Sequence, residues 1–127
     1  MKYLFAVLVA LAIALQLVNS LNWSKLSSAA QDLSAFVKFN STFHSTLQAC
    51  ASGCLGASAC SATCIQQKVG LTPGCATCFG DDVGCTASNC VLSCLSPSSP
   101  ACVDCSNKYC LPALLTCAGV PQSALPN

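Results

Sequence analysis

Thirteen of the 127 residues are cysteine, so the first chemistry to consider is that of thiols. Two Cys-x2-Cys pairs stand out, Cys75-Ala76-Thr77-Cys78 and Cys102-Val103-Asp104-Cys105. A redox dithiol needs a lowered thiol pKa and a βαβ setting, and no strand pattern flanks either pair. Together the pairs could offer four thiolates to zinc, but so many competing cysteines in an oxidising compartment favour disulfides. Other candidates are thinner. His44 is the single histidine and lies beside Phe43 on an apolar stripe, with no nucleophile placed on a sharp turn near it. Asp81-Asp82 after Gly80 reads as a solvated turn, since two adjacent carboxylates do not make a calcium loop. The sequence therefore predicts no catalytic, cofactor-binding or metal-binding residue.

Lys68 lies between Cys64 and Cys75, near the tip of the expected first hairpin, and the spacer of the second hairpin has no basic residue. A rigid loop presenting Lys68 would fit a trypsin-like pocket, because preorganisation lowers the cost of binding. The competing expectation is a solvated lysine at a helix C-terminus, favoured by the macrodipole.

The compartment follows from the N-terminus. Met1-Lys2, the apolar run from Leu4 to Val18 and Val18-Asn19-Ser20 have the layout of a secretory signal peptide over residues 1–20. Gln16 and Asn19 break the run before it reaches the length of about 20 apolar residues that a membrane span needs. All 13 cysteines follow this segment, and such a density in a short exported chain indicates a disulfide scaffold. The expected location is secreted, or extracellular. Beyond residue 20, Lys25, Lys38, Lys68 and Lys108 balance Asp32, Asp81, Asp82 and Asp104, and the chain has neither Arg nor Glu. Without a basic cluster there is no footprint for nucleic acid, and without a basic amphipathic face no membrane-disrupting helix.

Four segments emerge. Residues 1–20 are the signal peptide. Residues 21–49 lack cysteine, and Leu26, Ala30, Leu33, Phe36, Val37, Phe43 and Leu47 recur at helical spacing, which predicts an amphipathic helix from about Ser24 to Ala51. Two glycosylation sequons begin at Asn22 and Asn40. Residues 50–119 hold the cysteines, and residues 120–127 read as a flexible tail. Within 50–119 the spacing reads as two overlapping copies of one unit. The first is Cys54, Cys60, Cys64, Cys75, Cys78 and Cys85; the second is Cys85, Cys90, Cys94, Cys102, Cys105 and Cys110.

Cys-x3-Cys and Cys-x2-Cys place thiols on one side of a helix. Thr72-Pro73 and Ser99-Pro100 supply N-caps with Pro in the first turn, and Gly119 a C-terminal stop. The expected fold is an all-α, small disulfide-rich domain of two stapled helical hairpins behind an amphipathic N-terminal helix. If inner thiols pair with inner and outer with outer, the bridges are Cys64–Cys75 and Cys60–Cys78, then Cys94–Cys102 and Cys90–Cys105. One cysteine must be left over, with Cys50 and Cys117 at the edges of the framework as candidates.

This pattern is similar to the plant α-hairpinins, which carry Cys-x3-Cys on each of two stapled helices. The likeness covers Cys60 to Cys78 and Cys90 to Cys105, and departs in the second arm, which here has Cys-x2-Cys. The resemblance implies an architecture; its members include protease inhibitors and antimicrobial peptides. Plant lipid-transfer proteins differ in carrying Cys-Cys or Cys-x-Cys, which this chain lacks. The expected function is a non-enzymatic, secreted binding or signalling module with an unknown protein or extracellular surface component as partner. The alternatives are a coat protein cross-linked as a covalent homodimer through the odd cysteine, and a protease inhibitor using Lys68.

Overall fold

In a computed structural model, the backbone of residues 2–127 and the side chains of residues 6–16 and 28–127 are described. The side chains of the expected cleavage site and of the Asn22 sequon lie outside the described residues. The chain is all-helical: α1 (Lys2–Phe39), α2 (Phe43–Gly53), α3 (Ser58–Val69), α4 (Pro73–Asn89), α5 (Pro100–Tyr109), α6 (Leu111–Ala118) and a short 3-10 turn at Gln122–Ala124. It divides into two units, residues 1–31 and 32–127. The first is helical, and its described apolar side chains are exposed, Leu8, Leu11 and Leu15 by more than half. Among the described residues no helix is long and apolar enough to cross a membrane.

The expected single helix from Ser24 to Ala51 is two helices. Asn40-Ser41-Thr42 forms a turn in which Thr42 Oγ1 donates to the Phe39 carbonyl (3.4 Å) and Ser45 Oγ to the Thr42 carbonyl (2.9 Å). Short polar side chains of this kind compete with the helical ladder for backbone groups. The break lets Phe36 and Phe43 both reach Phe79 of α4, with ring centroids 4.9 to 5.9 Å apart. Edge-on and tilted pairs of this type contribute about 0.5–1.5 kcal/mol each beyond their burial. Ile65, Val69, Leu71 and Ala76 complete the core around them.

Six disulfides staple the helices, and their order corrects the first half of the expected pairing. Cys54 bonds Cys60 and Cys50 bonds Cys64, so α3 is stapled back to α2 rather than forward to α4. The expected Cys64–Cys75 and Cys60–Cys78 bridges are absent. Each arm of the true hairpin carries Cys-x3-Cys, at 50 and 54 and at 60 and 64. On α3 the side that faces the core is Ser61, Ile65 and Val69. Cys60 and Cys64 each lie about 100° around the axis from that row and meet α2 instead.

The remaining four bridges are Cys94–Cys102, Cys90–Cys105, Cys85–Cys110 and Cys78–Cys117. The first two are the pairs expected of the second hairpin. All four are nested, each enclosing the one before. Their first arm is not a helix throughout, however. Cys90 caps α4, and Cys94 follows in a turn closed by the Cys94 N–H to the Cys90 carbonyl (2.8 Å). The pairing thus forms two unequal ladders of two and four bridges and does not repeat, although the cysteine spacing does.

No bridge joins α3 to α4. These helices meet through small residues: a Cβ added at Gly80 would collide with the Ser58 carbonyl and lie 2.7 Å from Ala62 Cβ, and one at Gly84 would strike Ser58 Oγ. Gly80-Asp81-Asp82 is therefore not the solvated turn expected from sequence. It lies in the middle of α4, where glycine serves close helix approach.

Thr72 and Ser99 cap α4 and α5 as expected, accepting from the N–H groups of Cys75 (3.4 Å) and Cys102 (3.2 Å). Gly119 ends α6 in the left-handed region, at φ 66°. The last eight residues, read from sequence as a flexible tail, instead pack Leu125 against the core and donate the Asn127 N–H to Asn40 Oδ1 (3.1 Å).

Candidate functional site

The face of α4 that carries Phe79, Asp82, Val83 and Thr86 follows helical spacing and looks into a cavity of about 680 Å³. Opposite it stand Phe43 and Leu47 of α2, Val103 and Ser106 of α5, and Leu111 and Leu114 of α6, with Leu125 of the C-terminal segment at one end. Small-molecule sites are concavities of this size, mostly apolar, with a few placed polar groups. The bridges Cys78–Cys117, Cys85–Cys110, Cys90–Cys105 and Cys94–Cys102 tie α4 and the turn after it to α5 and α6, and so fix the spacing of three walls.

Two pairs of polar side chains on the wall are occupied with one another. Thr86 Oγ1 and Ser106 Oγ are 3.0 Å apart, linking α4 to α5. Gln48 Nε2 donates to Ser98 Oγ (3.0 Å) and lies 3.1 Å from His44 Nε2, tying α2 to the turn before α5. Asp82 is not among them. Its half-buried carboxylate makes no hydrogen bond or ion pair with any described residue. Burial alone pushes its pKa up to about 6, because an apolar wall disfavours the charged form.

The rim is apolar. Leu55 is 94% exposed and sits at φ 52°, in the left-handed region that side chains avoid. It occupies the position after α2 where glycine is usual. The Gly56 N–H donates to the Ala51 carbonyl (2.9 Å) and the Leu55 N–H to the Ser52 carbonyl (3.2 Å), a Schellman closure. Val91 is also exposed at the rim. A large apolar side chain held in strain and in water points to a use outside the folded core.

A second polar cluster lies at the start of α4. Asp32 accepts from the Thr72 N–H through Oδ1 and from Thr72 Oγ1 through Oδ2, both at 2.7 Å, so the end of α1 caps α4. A carboxylate at a helix N-terminus is favoured by the macrodipole. Here sits the odd cysteine. It is Cys75, not Cys50 or Cys117, both of which are bridged. Burial, the Asp32 charge and a hydrogen bond to Asp32 push the Cys75 thiol up to about 12. At neutral pH it is protonated, and thiols in that state are poor nucleophiles.

The other sequence candidates fall apart from one another. Lys68 is exposed in the last turn of α3, within a regular helix. Because Cys64 and Cys75 are not bonded, the segment between them is not a stapled loop, and the geometry expected of an inhibitor loop is absent there. Asn40 is exposed in the turn after α1. His44 is exposed on α2 at the edge of the cleft. Neither Cys-x2-Cys pair closes on itself, and among the described residues no group of three or more His, Cys, Asp or Glu side chains could hold a metal.

The cleft itself was missed in the sequence. A signal for it existed in the α4 spacing, where the charged Asp82 joins Phe79, Val83 and Thr86 on one face. Compared with family models, with curated proteins and with solved structures, the chain matches none, and its function is read from its own geometry.

Proposed function

We propose that this chain is a secreted, non-enzymatic binding protein whose disulfide-framed cleft takes a small apolar ligand. The observation that carries the reading is the 680 Å³ cavity walled by apolar side chains of four helices. Its walls are cross-linked rather than packed shut, which keeps the cavity formed before a ligand arrives and lowers the ordering cost of binding. The strained, exposed Leu55 at its rim adds contact area at the mouth.

Secretion is supported by the signal layout of residues 1–20 and by six disulfides, which persist in oxidising compartments. The exposed apolar side chains of the first helical stretch suit a segment that leaves the mature protein. Asn40, being exposed, is open to glycosylation in a eukaryotic export pathway. A covalent assembly through the odd cysteine is disfavoured by the protonated Cys75 thiol, and inhibition through Lys68 by its helical setting.

Titration of the secreted protein with N-phenyl-1-naphthylamine, a neutral probe that brightens in apolar surroundings, tests the reading. Saturable binding of one probe per chain is expected, weakened about tenfold or more in Val103→Trp, which fills the cleft from α5. Absence of saturable binding, or binding unchanged by Val103→Trp, would contradict it.

A further inference from the structure

Beyond binding an apolar body, the cleft carries information about the ligand's polar end. Among the described residues Asp82 is the one wall residue with a carboxylate side chain, and no Lys or Arg lines the cavity. His44, the only other titratable wall side chain, stands at the edge beside Gln48. The hydroxyls of Thr86 and Ser106 face each other, and Gln48 is held by Ser98. Among the described residues the Asp82 carboxylate has no partner. An unpaired, half-buried carboxylate in a cavity of largely apolar lining costs free energy. Such a group in a cleft is a candidate binding group because its unmet need is for a donor or a cation.

We propose that the cleft is selective for amphiphiles with a cationic or hydrogen-bond-donating head, an apolar amine above all, with the head on Asp82 and the apolar body along α5 and α6. This rests on the reading of the cleft as a ligand site. A fatty carboxylate of the same length would bring its own charge toward Asp82 and find no cation on the wall. An amine gains a charge-assisted hydrogen bond in a site with little water, where such bonds are strongest. The apolar rim at Leu55 and Val91 accommodates whatever part of the chain the cavity does not enclose.

The test is displacement of bound N-phenyl-1-naphthylamine at pH 7.5, where Asp82 is ionised, by n-decylamine, decan-1-ol and decanoate. Decylamine is expected to displace the probe at about tenfold or lower concentration than decanoate, with decanol between them. In Asp82→Asn the amine and the carboxylate should come within about threefold of each other. Asp81→Asn, on the exposed side of α4, should keep the wild-type order. Decanoate binding as well as decylamine, or an amine preference that survives Asp82→Asn, would overturn the proposal while leaving the cleft a binding site. Failure of the neutral probe itself to bind would overturn both.

Discussion

The region up to Asn89 and the region after it are stabilised in different ways. In the first, Phe36, Phe43 and Phe79 interlock over Ile65 and Leu71, and two bridges close the α2–α3 hairpin. In the second, the buried side chains are Cys90, Cys102, Cys110 and Leu114, while Val91, Leu92, Leu95 and Tyr109 are exposed. All four bridges of the larger ladder end in that second region. Cross-links there replace burial. Because α5 and α6 need not collapse onto α4 to stay in place, their apolar faces can line a cavity instead of filling it. Nesting shortens the further loop that each outer bridge closes once the inner ones have formed, so each contributes about 3 kcal/mol or less in the chain-entropy model, below its stand-alone value.

The largest effect is expected where the two ladders meet without a covalent link. Gly80→Ala should destabilise by more than about 3 kcal/mol in urea unfolding, because the new methyl meets the backbone of Ser58 and the Ala62 side chain. Gly84→Ala, which meets only the rotatable Ser58 hydroxyl, should cost far less. Equal costs at the two sites would mean that α3 and α4 are not held by close approach at Gly80.

Removing one rung of the larger ladder comes next. Cys90→Ser with Cys105→Ser should cost about 3 kcal/mol, and amide exchange should rise mainly between residues 90 and 110. Protection around Ile65 and Phe79 should stay near its original level. Exchange rising uniformly along the chain would erase the distinction between a packed region and a cross-linked one.

Asp82→Asn should stabilise the protein at pH 7.5 by about 2–3 kcal/mol. The sign follows from the raised pKa. Below about pH 4 the carboxyl is protonated in both folded and unfolded chains and has no effect. As pH rises from about 4 to 6 the unfolded chain releases the proton while the folded one retains it. Stability therefore falls through that window, and the cost is fully present above it. The variant should lose this slope, measured as urea midpoint against pH. A slope unchanged by the substitution would place Asp82 in water.

The smallest expected effect is at the rim. Leu55→Gly should stabilise by about 0.5–1 kcal/mol by relieving the left-handed backbone, and should weaken probe binding if Leu55 contacts the ligand. Thermal denaturation and the probe titration read the two consequences separately.

Helix content, the Thr72-Pro73 and Ser99-Pro100 starts, the Gly119 stop and the innermost pairs of the larger ladder were legible because each rests on local spacing. The α2–α3 staples were legible too, in the Cys-x3-Cys at Cys50 and Cys54, but periodicity across 43–49 assigned that arm to a long N-terminal helix. Cys78–Cys117 joins positions 39 residues apart and depends on where α6 folds back. No local pattern contains that. Asp82 shows the same limit: Gly80-Asp81-Asp82 has the composition of a turn, and only the approach of α3 makes it helix. Which polar group faces a cavity is decided by tertiary packing.

The most direct test is a bridge map of the protein, alkylated under denaturing conditions without reduction and then digested. The two-ladder framework predicts a monomer with linked peptides for Cys50–Cys64, Cys54–Cys60, Cys78–Cys117, Cys85–Cys110, Cys90–Cys105 and Cys94–Cys102, and a single alkyl group on Cys75. A Cys64–Cys75 bridge would contradict it, since α3 and α4 would then be stapled and the two ladders joined. So would a disulfide-linked dimer.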